Sequence, residues 1–458
     1  MFHTQQIKLT DSVTDEVKDY LIYLCEQSNK LTNCALFRIR KKHFDYSGHR
    51  TYFDKNDLYR SSLKMEQVNV SYYGLCEEFK TNPHYLAMGG QQAQQTLKSV
   101  TESFNSYNKL LVSFFKGELG FVPKLPNYRK DGLAVVTFPA QAIKFDALGR
   151  CKLPVSKELV GDIKEAWISS GFGLQDKKMV EVRILPRNRE LYAEYVFKLD
   201  ENVVDYDLDY SQAIGIDPGV NNWLTVVSTL GRSFLIDGKV IKSMNQKYNK
   251  DVANLKRDQP QGFWSDELAK VTELRNRQMR DVINKAARFV INYCLNHKIG
   301  NIVFGWGQGV KTKINIGTRN NQNFVQVPTA KLKKRITQLC SEYQIVFTET
   351  EESYTSKTSF IDDDFLPKLG EKPQQWKPSG RRIERGQYAS ANKSLINADC
   401  NGAANILRKV KAQLGLDLAK VIKEVLTLPK QYNVFSSLNK RYRNRCEVGV
   451  SKSVATSV

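Results

Sequence analysis

The chain has 458 residues, of which 41% are hydrophobic, 10% aromatic and 26% charged. This composition is typical of folded protein and excludes a chain that is mainly disordered. The length predicts about two to four domains. We find no apolar run of about eighteen residues that could cross a membrane, and Met1–Gln6 lacks the pattern of a signal peptide. We therefore expect an intracellular protein.

The charge balance indicates a polyanionic partner. Sixty-nine Lys and Arg residues oppose 48 Asp and Glu residues, which gives a net charge of +21 at pH 7. Nucleic acid is the most common polyanion, because neutralising its phosphates supplies affinity whatever the base sequence. A basic protein of another kind, such as a ribosome-associated factor, is the alternative interpretation.

Cysteine and histidine usage argues against a metal site built from these residues. The eight cysteines and five histidines are scattered, and no Cys-x-x-Cys pair occurs. Single cysteines in an intracellular chain are usually small buried hydrophobic residues. We therefore expect neither a disulfide scaffold nor a Cys-rich zinc site.

The amino-terminal half predicts strands on either side of a helical segment. A short strand lies near residues 4–10, and a helix begins at Asp11 or Ser12 and runs toward Leu31. A second helix, from Ala93 to Phe115, has an apolar and aromatic face, which we interpret as helix core rather than as a base-stacking surface. Further strands are predicted over 134–138, 142–145, 179–185 and 191–199. Residues 1–10 and 134–205 would thus form a β-rich module, with 11–133 as a helical insertion.

Beyond an acidic linker at 205–210, the pattern alternates between strands and helices. Ala213–Asp217 is typical of a buried strand that ends in a carboxylate. Strands at 223–229, 233–236, 299–305 and 345–350 and helices at 242–255, 266–296, 329–341 and from about Asp399 complete the pattern. Three antiparallel strands followed by helix, strand, helix, strand and helix is the order of an RNase H-like fold, a layered α/β architecture. Residues 411–458 form a basic tail with one more helix and a basic run at 439–445.

Two acidic residues stand where an RNase H-like fold gathers its carboxylates. Asp217 closes the first strand, and Asp399 opens the last helix. Carboxylates brought together repel each other unless a cation neutralises them, and their hard oxygen atoms suit Mg²⁺ or Mn²⁺. Two such ions can activate water and stabilise the leaving oxygen in phosphodiester hydrolysis. Taken singly, Asp217 also fits an ordinary turn before Pro-Gly, and Asp399 fits a helix cap.

Three motifs resemble those of one nuclease family. Residues 213–222, Ala-Ile-Gly-Ile-Asp-Pro-Gly-Val-Asn-Asn, resemble the first RuvC motif of the TnpB family, the RNA-guided nucleases of insertion sequences that are also called OrfB transposases. Residues 397–407 resemble its third RuvC motif, and residues 351–359 resemble the Tyr-Thr-Ser stretch that opens its zinc-ribbon insertion. The resemblance covers 211–410 and is weaker before that. Compact type V CRISPR effectors share these motifs.

The resemblance implies a multidomain α/β protein that cuts DNA under RNA guidance in a prokaryotic cytoplasm. It implies a RuvC-like nuclease domain over 211–410, a β-barrel wedge module from 1–10 and 134–205, and a helical recognition domain from 11–133. The implied partners are a guide RNA, target double-stranded DNA and the displaced single strand, and the implied cofactor is Mg²⁺ or Mn²⁺. Base pairing with the guide would read the target, while the protein would read a short adjacent motif.

The chain departs from the family where a glutamate commonly ends the strand at 299–305. Gly305 and Trp306 occupy that place, and neither can bind a metal. Either the site is broken, or a relocated acid, Glu351 or Glu352 at the end of the neighbouring strand, joins Asp217 and Asp399 as a metal ligand. Consecutive strand residues point to opposite faces, so only one of the two glutamates should bind, and Glu352 is slightly favoured.

A second departure lies in the zinc-ribbon insertion, predicted over residues 351–398. Ser359 and Asp362 stand where the family places cysteines, and residues 385–388 stand at the next knuckle. Without thiolates we expect no structural zinc. The basic residues between 370 and 385 would form either a flap over nucleic acid or a solvated loop; they are Lys372, Lys377, Arg381 and Arg382.

Three alternative functions stay open on the sequence alone. A CRISPR-guided compact type V effector would differ only in the source of its RNA. A nuclease-inactive, RNA-guided DNA-binding repressor is favoured by Gly305 and opposed by the presence of Asp217 and Asp399. A DNA-joining transposase would use the same acids without a guide RNA.

Overall fold

The computed structural model describes residues 2–9, 12–46, 67–130, 132–156, 163–170, 174, 177–198, 205–307, 327–384 and 386–435, with the backbone alone at 44–46. The chain divides into two compact units, residues 1–202 and 203–458. Each unit combines helices with sheets. None of the helices within the described ranges is long and apolar enough to cross a membrane. The predicted basic run at 439–445 lies outside the described residues.

The first unit contains two antiparallel sheets. The larger has the order β1 (Phe2–Lys8), β7 (Glu190–Lys198), β6 (Lys178–Arg187) and β2 (Val136–Pro139). The smaller consists of β3 (Lys144–Phe145), β4 (Cys151–Leu153) and β5 (Ala166–Ile168). The strands predicted in this half are confirmed within a few residues, whereas β4 and β5 had not been predicted. The paired strands form two sheets, so a closed barrel stays a prediction.

The helices in the described part of the first unit are α1 (Asp15–Tyr46), α2 (Tyr72–Phe79), α3 (Pro83–Met88) and α4 (Gly90–Phe115). The predicted start of α1 at Asp11 or Ser12 is wrong. The hydroxyl of Ser12 donates back to the carbonyl of Leu9 at 3.2 Å, which closes the preceding turn, and Thr14 instead accepts from the backbone N–H of Val17 at 3.4 Å. The core interpretation of α4 is confirmed, because its apolar face is buried at Leu97, Val100, Phe104, Tyr107 and Leu111.

The second unit is built on a six-stranded mixed sheet. Its order is β12 (Val346–Thr350), β11 (Ile299–Gly305), β8 (Asp209–Pro218), β9 (Asn222–Ser228), β10 (Arg232–Asp237) and β16 (Lys430–Tyr432). The strands β8, β9 and β10 are antiparallel to one another, and β11 and β12 run parallel to β8. The predicted element order is confirmed, and β16, which pairs parallel to β10, is an addition that had not been predicted.

Helices cover both faces of this sheet. They are α5 (Lys239–Leu255), α6 (Asp266–Asn296), α7 (Thr329–Glu342), α8 (Ala398–Leu414) and α9 (Lys423–Thr427). Ile214 and Ile216 belong to the core cluster that includes α6 and α7, and Ala213 belongs to the cluster that includes α8. A strand buried on both faces needs a continuous apolar run rather than an alternating one. This explains the Ala-Ile-Gly-Ile sequence of β8, which ends at Asp217.

Candidate active site

The end of β8 and the start of α8 bring Asp217 and Asp399 together. A Cβ on Gly215 would lie 2.6 Å from both the carbonyl oxygen of Ala403 and Cγ of Leu407, so this glycine lets α8 pack closely on β8. Asp399 lies in the first turn of α8. It is not the cap of the helix, because the side chain of Asn397 accepts from the backbone N–H groups at 399 and 400, at 3.0 Å each. The carboxylate of Asp399 is therefore available for another role.

Gly402 leaves room for the Asp217 carboxylate. A Cβ on residue 402 would lie 2.5 Å from Oδ2 of Asp217, closer than real Cβ atoms approach. Glycine in a helix interior costs about 1 kcal/mol relative to alanine, so a glycine there indicates a packing or functional reason. The sequence placed Gly402 in the third motif but gave it no role, although an isolated glycine within the α8 pattern was a usable signal.

The Asp399 carboxylate contacts two polar side chains. Nδ2 of Asn222, at the start of β9, donates to Oδ2 of Asp399 at 2.8 Å. Nη2 of Arg382 lies 3.7 Å from the other oxygen, and its side chain is 48% exposed. Arg382 belongs to β13 (Arg381–Glu384), so this part of the predicted flap or loop is a strand. It pairs with β14 (Gln387–Ala389), which in turn pairs with β15 (Leu395–Asn397). The sequence placed Asn222 in the first motif but gave it no role.

The adjacent glutamates have different surroundings. Glu351 pairs with the ammonium of Lys409, whose side chain is only 7% exposed, and accepts from the backbone N–H of Ser353 at 2.6 Å. Oε1 of Glu352 is buried and has no hydrogen-bond partner among the residues that the structure describes. A Cβ on Gly305 would lie 3.0 Å from Cγ and 3.1 Å from Oε1 of Glu352. Glu352 thus lies against the surface that Gly305 leaves open.

The prediction that strand alternation points Glu351 and Glu352 to opposite faces is wrong. β12 ends at Thr350, so Glu351 and Glu352 lie beyond the strand and its alternation does not govern them. What separates them is the ion pair to Lys409, which holds Glu351 against α8. Of the four acids predicted for the site, Glu352 and Asp399 each lie close enough to Asp217 to raise its pKa, whereas Glu351 is held by Lys409.

Burial and mutual repulsion favour the protonated forms of two of these acids. Burial raises the pKa of Asp217 well above its ordinary value; Glu352 and Asp399 raise it further, and Arg382 opposes them. Burial, with a contribution from Glu351, raises the pKa of Glu352 to about 7. Burial also acts against ionisation of Glu351, but its hydrogen bonds and ion pair outweigh this and lower its pKa. A cation placed among Asp217, Glu352 and Asp399 would relieve their repulsion.

A cleft of about 590 Å³ opens beside Glu352, with Trp306, Thr350 and Leu369 among its lining residues. Across the described ranges, no three His, Cys, Asp or Glu side chains are already placed as the ligands of one metal ion, so a cation bound at Asp217 would have to draw Glu352 and Asp399 toward it. The chemistry of the donors nevertheless fits a hard divalent cation, because the acids offer carboxylate oxygens and one of these, Oε1 of Glu352, has no partner within the described part of the chain.

Comparisons with known proteins agree with the motif resemblance. The model of the OrfB_IS605 family, described as a probable transposase, matches residues 197–307, which confirms the predicted resemblance. No curated protein sequence matches the chain.

Solved structures of RNA-guided proteins are similar to most of the chain at low identity. A Cas12f1–sgRNA–target DNA complex is 13% identical, with 86% of this chain and 83% of that chain covered and a TM-score of 0.48. The mini-RNA-guided endonuclease CRISPR-Cas_phi3 is 10% identical, with 94% of both chains covered and a TM-score of 0.44. C2c1 of Alicyclobacillus acidoterrestris with single-guide RNA is 10% identical, with 86% and 69% covered and a TM-score of 0.33.

Proposed function

We propose that this chain, which matches the OrfB family of probable transposases over residues 197–307, is an RNA-guided DNA endonuclease. The observations that support the proposal are the electrostatic effects of both Glu352 and Asp399 on Asp217, and a buried oxygen of Glu352 that has no hydrogen-bond partner among the described residues. The sheet order, three antiparallel strands followed by two strands parallel to the first, supports a RuvC-like, RNase H-like nuclease domain.

Asp217, Glu352 and Asp399 would hold Mg²⁺ or Mn²⁺, which supplies Lewis-acid activation of the phosphodiester and of a water molecule. The protein's own groups prepare the site. The amide of Asn222 orients the Asp399 carboxylate through its hydrogen bond. Arg382 is exposed beside the same carboxylate, where its planar guanidinium can contact a phosphate of the substrate strand.

Glu351 acts as a positioning residue in this proposal rather than as a ligand. Its ion pair with Lys409 ties the segment after β12 to α8, the helix that also carries Asp399. The carbonyl of Glu352 accepts from the hydroxyl of Thr355 at 2.9 Å, which fixes the turn that follows. Glu352 can then lie against Gly305, so the missing family glutamate is replaced rather than lost.

The net charge of +21 supports binding of a guide RNA, target DNA and the displaced single strand. Residues 1–10 and 134–205 would form the wedge, and 11–133 the recognition insert, that hold the guide RNA. Residues 211–410 would form the nuclease domain, and the tail at 411–458 has no assigned role. Guide pairing would select the target, while the protein would read an adjacent motif.

The test begins with sequencing of small RNA that co-purifies with the protein, followed by cleavage of a guide-matched plasmid library in Mg²⁺. We expect a bound RNA and cutting next to one short motif. Asp217→Ala and Asp399→Ala should each abolish cutting and keep the RNA. Target binding without cutting by the parent would support the inactive repressor instead, and a protein without RNA that joins DNA would support the transposase.

A further inference from the structure

One carboxylate holds together the insertion between β12 and α8. Oδ2 of Asp362 accepts from the hydroxyl of Ser359 at 2.5 Å, the hydroxyl of Ser379 at 3.1 Å and the backbone N–H of Ala391 at 2.8 Å. Ser379 is 17 residues and Ala391 is 29 residues from Asp362. Three segments of the insertion therefore meet at a single oxygen atom, and we call these four residues the Asp362 hub.

A second carboxylate reinforces the contact between two of these segments. Oδ2 of Asp364 accepts from the backbone N–H groups of Ser359 at 2.9 Å and of Ser379 at 3.0 Å. Ser359 is fully buried, and both its N–H and its hydroxyl have acceptors, as buried polar groups require. Burial opposes ionisation of Asp362, but the hydrogen bonds from Ser359, Ala391 and Ser379 outweigh it and lower its pKa. The hub is thus organised around a carboxylate that is ionised at neutral pH.

The hub occupies the place where the family resemblance implies a structural zinc. Ser359 and Asp362 have the spacing of a Cys-x-x-Cys knuckle. The groups around Oδ2 of Asp362 do not fit zinc, because two hydroxyls and an amide N–H point hydrogens at it, whereas zinc requires lone pairs from thiolates or imidazoles. At the expected second knuckle, the hydroxyl of Tyr388 donates to the carbonyl of Lys357 at 2.8 Å.

The hub also fixes both ends of a hairpin. Ser379 lies two residues before β13, and Ala391 lies two residues after β14, so their bonds to Asp362 anchor the β13–β14 hairpin where it begins and where it ends. Arg382, which lies 3.7 Å from Asp399, is carried by this hairpin. A movement of the hub would therefore displace the guanidinium of Arg382 from the acids.

We propose that the Asp362 hub replaces the structural zinc of this insertion, and that Asp362 is a positioning residue for the hairpin that carries Arg382. A charged acceptor that gathers donors from three segments performs the structural task of a metal that gathers ligands from them. The hub needs no metal to fold. Its link to Arg382 rests on the proposed function, whereas the replacement of zinc does not.

The first test measures hydrogen exchange in the full-length protein over peptides spanning 379–391. Asp362→Ala removes the common acceptor, so exchange there should accelerate roughly 10- to 100-fold. Asp362→Asn keeps an acceptor oxygen without its charge and should give a smaller acceleration. Asp363→Asn is the matched control, because the Asp363 side chain is 93% exposed, its ion pair is with Arg408 at 3.4 Å rather than with the hub, and asparagine tolerates its φ of 50°. An exchange rate over 379–391 in Asp362→Ala equal to that of the parent would refute the role of the hub in anchoring the hairpin.

The second test addresses zinc and positioning separately. We expect no stoichiometric zinc in the purified protein and no change in exchange over 379–391 after chelation. If the protein holds zinc and its removal accelerates exchange over 379–391, the proposal that the Asp362 hub replaces a structural zinc is wrong. For positioning, the cleavage losses of Asp362→Ala and Arg382→Ala should fail to add in the double variant, and additive losses would overturn this part. A parent protein that never cuts would refute the proposed function but leave the exchange and zinc results valid.

Discussion

Replacing Gly402 by alanine should separate catalysis from stability. The added Cβ would lie 2.5 Å from Oδ2 of Asp217, whereas ordinary contacts begin at 3.4 Å. The obstructing carboxylate belongs to a short side chain at the end of β8, so it has to retreat by about 1 Å, and a displacement of that size at a reacting centre costs about 100-fold in rate. Alanine is more favourable than glycine in a helix by about 1 kcal/mol. This gain offsets the strain, so the free energy of unfolding should stay close to that of the parent.

The assay is single-turnover cleavage of a guide-matched duplex at saturating Mg²⁺, with RNA binding and thermal unfolding measured on the same samples. Gly90→Ala is the matched control, because Gly90 also lies in a helix and its added Cβ would have its nearest neighbour, the Tyr85 hydroxyl, at 3.9 Å. We expect parental RNA binding for both variants, parental melting for Gly402→Ala, a melting temperature at or above the parent's for the unstrained Gly90→Ala, and slow cleavage only for Gly402→Ala. If Gly402→Ala cleaves at the rate of the parent, the site does not require the close approach of α8 to Asp217.

Three further predictions address the acids and the insertion. In the proposed function Glu352 is a metal ligand, so Glu352→Gln should slow cleavage at least about 100-fold. Glu351→Gln should lose only about tenfold, because in that proposal Glu351 supports the ligand without binding the metal. Equal losses would contradict this division of roles. Asn222→Ala should raise the Mg²⁺ concentration for half-maximal cleavage about tenfold, since Asp399 loses a donor at 2.8 Å, and an unchanged metal titration would count against it. The pKa of Asp362 is lowered in the fold, so its stabilisation is complete above the ordinary value of about 3.9 and is lost as the pH falls through the lowered pKa. The difference in exchange protection between the parent and Asp362→Asn should therefore vanish in acid, and its persistence there would refute an ionised hub.

The sheet of the second unit could be predicted because each strand is determined mainly by its local pattern. Ala213–Ile216 is apolar on both faces, and only a strand covered on both sides uses such a run. The start of α1 was missed for an equally local reason: Ser12 and Thr14 are both acceptable caps, and the choice depended on the Ser12 hydroxyl finding the carbonyl of Leu9.

The finer parts of the site depend on residues distant in the chain. Lys409, 58 residues beyond Glu351, determines which of two identical side chains is held away from Asp217. No periodicity or spacing carries that information, because it arises only when α8 packs beside β12. The partners of Asp362 were hidden in the same way, since serine and alanine in a polar stretch give no signal of a shared acceptor.

The sequence Asn401-Gly402 in α8 also affects how the protein ages chemically. Asparagine followed by glycine deamidates readily, because the glycine nitrogen has no neighbouring side chain to hinder its attack on the asparagine amide. In the fold, Asn401 is fully buried, its Oδ1 accepts from the N–H of Phe360 at 3.0 Å, and its Nδ2 donates to the carbonyl of Thr358 at 2.8 Å. The folded helix therefore protects the Asn401 amide from deamidation. In denaturant, Asn401 is converted to aspartate, which after refolding would face the Thr358 carbonyl with no N–H to donate. Storage of the unfolded protein should accordingly lower the yield of native protein on refolding.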